Sequence, residues 1–146
     1  MTMRRLAGEL GVTQPVLYSA FKGRQALVDA VALDGFSDLA GVLETEGTPL
    51  ARMRAYLDFA ADHPRVYEAM FSMPTELAFA AEATPELLLR AFEAIRDMFP
   101  DADGTHAEVA WSTLHGLATL QAGGRLRPEQ LERRLELAHR LLTRAE

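Results

Sequence analysis

The sequence contains no cysteine, no long apolar run and no convincing alternating strand pattern. The absence of cysteine excludes disulfides, thiolate metal sites and thiol nucleophiles from its 146 residues. Charged residues make up 25% of the chain, and no charge-free apolar run reaches the roughly 20 residues that a membrane helix needs. The N-terminal residues also lack the basic-then-apolar order of a signal peptide. We therefore expect a cytoplasmic protein with no membrane partner.

Signatures of catalysis are missing as well. There is no glycine-rich phosphate loop, no HExxH helix and no nucleophile elbow. The four histidines lack metal-ligand spacing relative to neighbouring carboxylates. Asp101 and Asp103 lie in a predicted loop whose flanks do not make a calcium site. We expect neither an enzyme, nor a metal site, nor a bound cofactor.

What the sequence does contain is helical periodicity along nearly its whole length, which predicts an all-α fold. A short helix is expected to run to Leu10 and to end at Gly11 in the left-handed conformation, and Thr13 would cap a second one. The longer predicted helices cover residues 24–44, 50–62, 64–73, 105–122 and 128–145, with a further helix containing residues 88–99. We place one domain boundary near the end of the helix that begins at Arg24, giving domains 1–40 and 41–146.

The charge of the chain is unevenly distributed. Four basic residues against one acidic residue give the first 24 residues a net charge of +3, which leaves −9 for the rest of a chain whose total is −6. A basic head on an acidic body suits a protein that contacts phosphates at one end only. Chance clustering of four cations would give the same numbers.

The two short helices around Gly11 have the form of a helix-turn-helix. In that motif the second helix enters the DNA major groove, which is roughly 12 Å wide, while the first helix and the caps contact phosphates. Because any two capped helices joined by a glycine produce this pattern, further residues have to support the assignment.

Those residues are present in the segment TMRRLAGELGVTQPVLYSAFKGRQALVDAV. It resembles the DNA-binding signature of the TetR family of bacterial transcriptional repressors. The positions that match in register are Thr2, Ala7, Gly11, Val12, Thr13, Leu17, Tyr18, Phe21, Arg24 and Leu27. The resemblance implies a helix-turn-helix domain over residues 1–40 with double-stranded DNA as its partner.

The resemblance also implies roles for individual side chains. Those expected to be buried between the two helices are Val12, Leu17 and Phe21. Those expected to contact DNA are Thr2, Arg4, Thr13, Gln14, Pro15, Tyr18, Ser19, Lys22 and Arg24. Within this set, Gln14, Pro15 and Ser19 would meet base edges, and Thr13, Tyr18 and Arg24 would contact phosphates. The alternatives are a core tyrosine at Tyr18, a simple helix cap at Thr13 and a solvated charge at Arg24.

The family places one further helix before this segment, whereas only Met1 precedes Thr2 here. We expect a loosened DNA-binding head, because Leu6, Leu27 and Val31 would lose a packing partner. Three explanations stay open: a start site assigned too late, a truncated chain, or a natural variant that binds DNA poorly.

A second resemblance covers the remainder of the chain. Residues 55–71 and 111–126 look like the ligand-binding domain of this family that is named for its Trp-His-Gly signature, here Trp111, His115 and Gly116. We expect a pocket between helices for an apolar or aromatic small-molecule effector. The candidate lining is Tyr56, Phe59, Tyr67, Met70, Phe71, Phe92, Met98, Trp111 and His115. For each residue taken singly, the alternative is ordinary core packing. Gly116 would let another backbone approach closely.

The resemblance further implies a homodimer formed through the last two helices. The apolar residues assigned to this bundle are Leu114, Leu117, Leu120, Leu131, Leu135, Ala138 and Leu142. Leu137 and Leu141 form a second row beside them. The alternative is that these leucines pack only inside one chain. A two-fold dimer would bind a palindromic operator.

Together these expectations describe a transcriptional repressor that an effector releases from DNA. The effector would shift the helix that begins at Arg24 and so change the separation of the two DNA-binding heads. The alternative is a helical ligand-binding and dimerisation module that no longer binds DNA effectively.

Overall fold

The computed structural model describes residues 3–14, 24–71 and 86–144. Within these ranges the secondary structure is helical and contains no strand, so the predicted all-α fold is confirmed. The helices are α1 (Met3–Leu10), α2 (Arg24–Glu44), α3 (Pro49–Asp62), α4 (Pro64–Phe71), α5 (Glu86–Arg96), α6 (Thr105–Ala122) and α7 (Leu131–Thr143), with a 3₁₀ turn at Pro128–Gln130.

Polar caps and prolines set the helix starts. The Thr48 hydroxyl accepts a hydrogen bond of 3.2 Å from a backbone N–H in the first turn of α3, and Pro49 occupies the first helical position. Before α6, the Asp101 carboxylate accepts from two backbone N–H groups at 2.6 and 2.9 Å. Asp103 accepts from a third at 3.0 Å. The two aspartates therefore cap a helix.

Glycines in the left-handed conformation end two of the helices. At the end of α1, Gly11 has φ = 70°, which confirms its predicted role. Its N–H donates to the carbonyl of Gly8 at 3.2 Å, and the Val12 N–H donates to the carbonyl of Ala7 at 2.9 Å. This pair of bonds satisfies carbonyls that have no partner inside the helix. The same arrangement follows α6 at Gly124, where φ is 68°.

Two clusters of buried residues organise the described part of the chain. The larger cluster draws side chains from α2, α3, α4, α5, α6 and α7. The smaller one joins α1 to α2 and α4 and consists of Ala7, Leu27, Val28, Val31 and Ala69, with Val66 packed against it. Since α2 contributes to both clusters and continues through residue 40, it connects the first residues of the chain with the helical body.

Helices α2 and α4 pack closely against each other at Gly35. A Cβ atom placed there would lie 2.7 Å from the Met70 sulfur and 2.8 Å from a methyl group of Val66. Real Cβ atoms essentially never lie so close to other heavy atoms, so a side chain at Gly35 would force its neighbours on α4 to shift.

Candidate functional site

Four side chains from three helices form a continuous hydrogen-bonded chain in the body. On α6, the Trp111 Nε1–H donates to the hydroxyl of Tyr56 at 3.1 Å. The Tyr56 hydroxyl lies 2.6 Å from the Tyr67 hydroxyl. The Tyr67 hydroxyl lies 2.7 Å from Nδ1 of His115. We call these four residues the aromatic relay.

Helix geometry explains how the relay is assembled. Trp111 and His115 are one turn apart on α6 and share a face, as their spacing predicts. Tyr56 comes from α3 and Tyr67 from α4, and their rings make an edge-to-face contact with centroids 5.9 Å apart. One turn after Tyr67, the ring of Phe71 packs on the imidazole of His115, with the two ring centroids 4.4 Å apart. The His115 ring is therefore held by both a hydrogen bond and an aromatic contact.

Burial determines the protonation states in the relay. It raises the pKa of Tyr56 to about 12 and also raises the pKa of Tyr67. The same loss of hydration disfavours the charged imidazolium and lowers the pKa of His115. At neutral pH the relay therefore consists of two neutral hydroxyls, a neutral imidazole and an indole.

The lowered pKa of His115 makes stability depend on pH. The unfolded chain, in which histidine has a pKa of about 6.5, binds more protons than the folded chain between the two pKa values. The free energy of unfolding should therefore fall as the pH drops through that window. Urea unfolding midpoints measured between about pH 8 and pH 5 should fall less steeply with decreasing pH for His115→Gln than for the wild type. The control Thr119→Val, which changes the same cleft without removing a titratable group, should follow the wild type. Parallel profiles for wild type and His115→Gln would contradict this prediction.

The relay borders an open cleft of about 400 Å³ between α3, α4 and α6. Its lining includes Tyr67, Phe71 and His115 from the predicted set, together with Pro64 and Ala118. The wall is mostly apolar, with a small number of polar groups at one side. This composition is typical of sites for small organic molecules.

The other predicted lining residues lie elsewhere. Tyr56, Met70 and Met98 are buried in the core. Phe59 borders a groove of about 470 Å³ beside α2. Phe92 and Trp111 border another of about 440 Å³ beside α5. The structure thus divides the candidate set between three clefts and the core, because neighbouring positions on one helix face different partner helices.

Within the described ranges, no three His, Asp or Glu side chains form a group that could hold a metal ion.

The apolar surface of α6 and α7 differs from the one expected. Leu114, Leu135, Ala138 and Leu142 are buried within their own chain, so the interpretation of this stripe as a dimer surface is wrong for these four residues. They occupy the faces of α6 and α7 that point into the core. The large apolar side chains left exposed on the two helices are Val109, Leu120, Leu131, Leu137 and Leu141. We call these five residues the α6–α7 apolar surface.

On α6 this surface follows a regular stripe. Val109, Thr113, Gly116 and Leu120 are spaced i, i+4, i+7 and i+11, so they lie along one side of the helix. A Cβ atom at Gly116 would meet nothing within 4 Å. Among the described residues, therefore, no other backbone uses the close approach that a glycine permits.

Comparison with known proteins decides the family. A family model described as the C-terminal domain of tetracyclin repressor-like proteins matches residues 50–145, which is most of the chain. The chain belongs to the TetR family of transcriptional regulators. Its helices α3 to α7 are accordingly the C-terminal domain of a TetR-family protein. No helix within the described ranges has the length and apolar character needed to cross a membrane.

Solved structures support the same fold. A protein of unknown function from Rhodococcus sp. RHA1 is 27% identical, with a TM-score of 0.63 over 97% of this chain and 82% of that one. SCO4313, whose assignment as a regulatory protein is provisional, is 19% identical, with a TM-score of 0.69 over 97% of this chain and 84% of its own. No curated protein has significant sequence similarity to the chain.

The described part of the N-terminal segment places three of the predicted DNA contacts on the surface. Arg4, Thr13 and Gln14 are exposed. The backbone of Arg24 begins α2, but its side chain lies outside the described set, as does that of Leu6. The other predicted contacts, Thr2, Pro15, Tyr18, Ser19 and Lys22, also lie outside the described residues, together with Leu17 and Phe21.

One expectation for this segment is wrong. Val12 is 39% exposed, although it was expected to be buried. The left-handed turn at Gly11 leads the backbone away from α1. Among the described side chains of α1, the one buried against α2 is Ala7. Sequence reasoning also missed Gly35. The available signal was a glycine inside a long helix, where it costs about 0.5–1 kcal/mol relative to alanine and needs a packing reason.

Proposed function

We propose that this TetR-family chain is a DNA-binding repressor that works as a homodimer and leaves its operator when an apolar or aromatic effector occupies the cleft beside the relay. The observation that carries this proposal is the position of Phe71. Its ring packs against the imidazole of His115 at the cleft, with ring centroids 4.4 Å apart, and against the ring of Phe36 on α2, with centroids 5.5 Å apart. One side chain therefore connects the candidate effector site with the helix that leads to the DNA-binding head.

The packing of α4 strengthens this connection. One face of α4 presents Tyr67 and Phe71 to the cleft, while its neighbouring face packs Met70 and Val66 against α2 at Gly35. Because interiors are close-packed, a displacement of α4 by an effector would be transmitted to α2. The effector would act only if it binds one arrangement of the two helices better than the other.

From α2 the movement would reach the DNA-binding head through the smaller cluster. Ala7 on α1 packs with Leu27, Val28 and Val31 on α2. Arg65 on α4 also lies 3.8 Å from Glu9 on α1. In a dimer, a shift of α2 would change the separation of the two heads and their fit to half-sites about one DNA turn apart, or a multiple of it, in a palindromic operator.

The α6–α7 apolar surface is the proposed dimer interface. Large apolar side chains exposed on a small protein can mark an interaction site, and Val109 and Leu141 border one groove between the two helices. A two-fold axis would pair this surface with itself and bury Gly116 against the partner.

For the head, we propose that Arg4 and Thr13 contact phosphates and that Gln14 reads a base edge. In this proposal Thr2, Tyr18, Lys22 and Arg24 add phosphate contacts, and Pro15 and Ser19 add base contacts. The exposure of the three described side chains supports these roles, as does the positive charge of this segment.

The test is fluorescence anisotropy on the intergenic DNA upstream of the gene, against scrambled DNA, over a salt series. Arg4→Ala should weaken binding to both DNAs and lower the salt slope by about 1, whereas Gln14→Ala should reduce the preference for the specific DNA. Arg96→Ala, which removes a charge from α5 whose ion-pair partner Glu93 lies on the same helix, is the control and should change neither.

Equal binding of the wild type to both DNAs would contradict the proposed function. The chain would then be a ligand-binding dimer without effective DNA recognition. Specific binding that Arg96→Ala weakens as much as Arg4→Ala would contradict the assignment of the DNA-binding surface.

A further inference from the structure

The direction of the hydrogen bonds in the aromatic relay follows from the chemistry of its members. An indole N–H can only donate, so the Tyr56 hydroxyl accepts from Trp111. Each tyrosine hydroxyl carries one hydrogen and, among the described residues, has two relay partners. The remaining choice is whether the hydrogens of the hydroxyls point toward His115 or away from it.

Only one of these directions satisfies every hydrogen. If Nδ1–H of His115 donated to Tyr67, then Tyr67 would donate to Tyr56. Tyr56 would then accept from both its neighbours, and its own hydrogen would have no acceptor in the described core, where this residue is fully buried. Buried polar hydrogens are rarely left unpaired, because their desolvation is not compensated. Tyr56 therefore donates to Tyr67, and Tyr67 donates to Nδ1 of His115.

This direction sets the tautomer of His115. A neutral imidazole has one N–H, so an accepting Nδ1 requires the hydrogen on Nε2. Within the described structure Nε2 has no hydrogen-bond partner, and the half-buried His115 ring lines the cleft. The ring cannot easily turn away, since Phe71 packs on it and Tyr67 holds its other nitrogen.

We propose that the aromatic relay fixes His115 as a neutral imidazole whose Nε2–H is the hydrogen-bond donor of the cleft, and that the effector is an apolar or aromatic molecule that carries no negative charge and has an acceptor such as a carbonyl oxygen. The second half rests on the proposed function, whereas the tautomer depends on the geometry alone.

The composition of the cleft disfavours an anionic ligand. Among its described lining residues, Glu68 contributes a carboxylate and no arginine or lysine is present, so an anionic ligand gains no opposite charge there. The lowered pKa of His115 keeps the imidazole neutral at physiological pH. Pro64, Phe71 and Ala118 supply the apolar wall.

The first experiment reads the tautomer directly in the full-length chain. Long-range ¹H–¹⁵N correlation spectra of histidine side chains distinguish a protonated from an unprotonated ring nitrogen. We expect His115 to show an unprotonated Nδ1 and a protonated Nε2 at neutral pH. In Tyr67→Phe, which removes the hydrogen bond to Nδ1, we expect a mixture of tautomers. A protonated Nδ1 in the wild type, or an unchanged spectrum in Tyr67→Phe, would overturn the proposal.

The second experiment compares acetophenone with ethylbenzene, which has a methylene group in place of the carbonyl. Chemical-shift titrations should give about tenfold tighter binding of acetophenone, the value of one hydrogen bond. The ratio should fall to about one in His115→Phe and in His115→Leu, and it should persist in Thr119→Val, which changes the same cleft without touching the relay. Equal binding of the two probes, binding of neither, or a ratio that Thr119→Val removes would overturn the acceptor assignment.

DNA anisotropy in the presence of each probe separates this inference from the proposed function. Selective binding of acetophenone without any change in DNA affinity would refute effector-controlled release, while the donor role of His115 would stand. Release of DNA by both probes equally would support an effector site and overturn the acceptor preference.

Discussion

Replacing both Leu137 and Leu141 with glutamate is expected to disrupt the proposed dimer and leave a monomer. The two side chains are one turn apart on α7 and are 46% and 60% exposed, so they form one apolar patch. In a two-fold interface the variant would bury four carboxylates without partners, and an unpaired buried charge costs about 3–5 kcal/mol. The dimer dissociation constant should rise at least about 100-fold, and operator binding should be lost with it. Sedimentation velocity over a concentration series measures this change.

The matched control for this experiment is Leu89→Glu. Leu89 is 44% exposed but lies on α5, outside the α6–α7 apolar surface. This variant should keep the wild-type dissociation constant. If it dissociated the dimer as strongly as the Leu137 and Leu141 substitutions, the proposed interface would be wrong.

Gly116 provides a finer test of the same interface. In the single chain a Cβ atom at this position meets nothing within 4 Å, and alanine is favoured over glycine inside a helix by about 0.5–1 kcal/mol. Gly116→Ala should therefore stabilise the monomeric Leu137 and Leu141 variant against urea while weakening the dimer of the otherwise wild-type chain. If Gly116→Ala stabilised the monomeric variant and also strengthened the dimer, Gly116 would lie outside the interface.

The second large effect is expected at Gly35. Valine at this position would place its Cβ atom 2.7 Å from the sulfur of Met70 and 2.8 Å from a methyl group of Val66. Met70 is 1% exposed and has little room to move, so α4 would have to separate from α2. We expect a loss of about 3 kcal/mol in the free energy of unfolding, measured by urea denaturation.

Gly41→Val is the matched control because it lies on the same helix and a Cβ there meets nothing within 4 Å. Its stability should equal or slightly exceed that of the wild type, since valine has the higher helix propensity. A milder variant, Gly35→Ala, should retain the fold but weaken the effect of an effector on DNA binding. Equal losses for Gly35→Val and Gly41→Val would contradict the close packing of α2 and α4.

Local sequence was sufficient for the elements that local chemistry controls. The end of α1 at Gly11 follows from glycine's access to the left-handed conformation, and the start of α4 follows from Pro64, whose missing N–H is tolerated in a first turn. The common face of Trp111 and His115 follows from helix periodicity. The family resemblance, too, depended on contiguous residues at fixed spacing.

The assignment of leucines to the core or to the surface required the tertiary structure. Leu135 and Leu137 belong to one amphipathic helix, and periodicity shows that α7 has two apolar rows. It does not show which row the rest of the chain covers. Because α7 packs on α3 and α6, the row containing Leu135 is buried, and the row containing Leu137 and Leu141 is left exposed.

The sequence by itself determined the helices, most of their ends and the resemblance to TetR-family regulators, because each depends on residues within a few turns of one another. Only the tertiary structure decided the relay, whose bonds join residues 11, 48 and 55 positions apart, and the contact of α2 with α4 at Gly35. Such contacts depend on how whole helices pack, and side-chain periodicity specifies the buried face of a helix without specifying its partner.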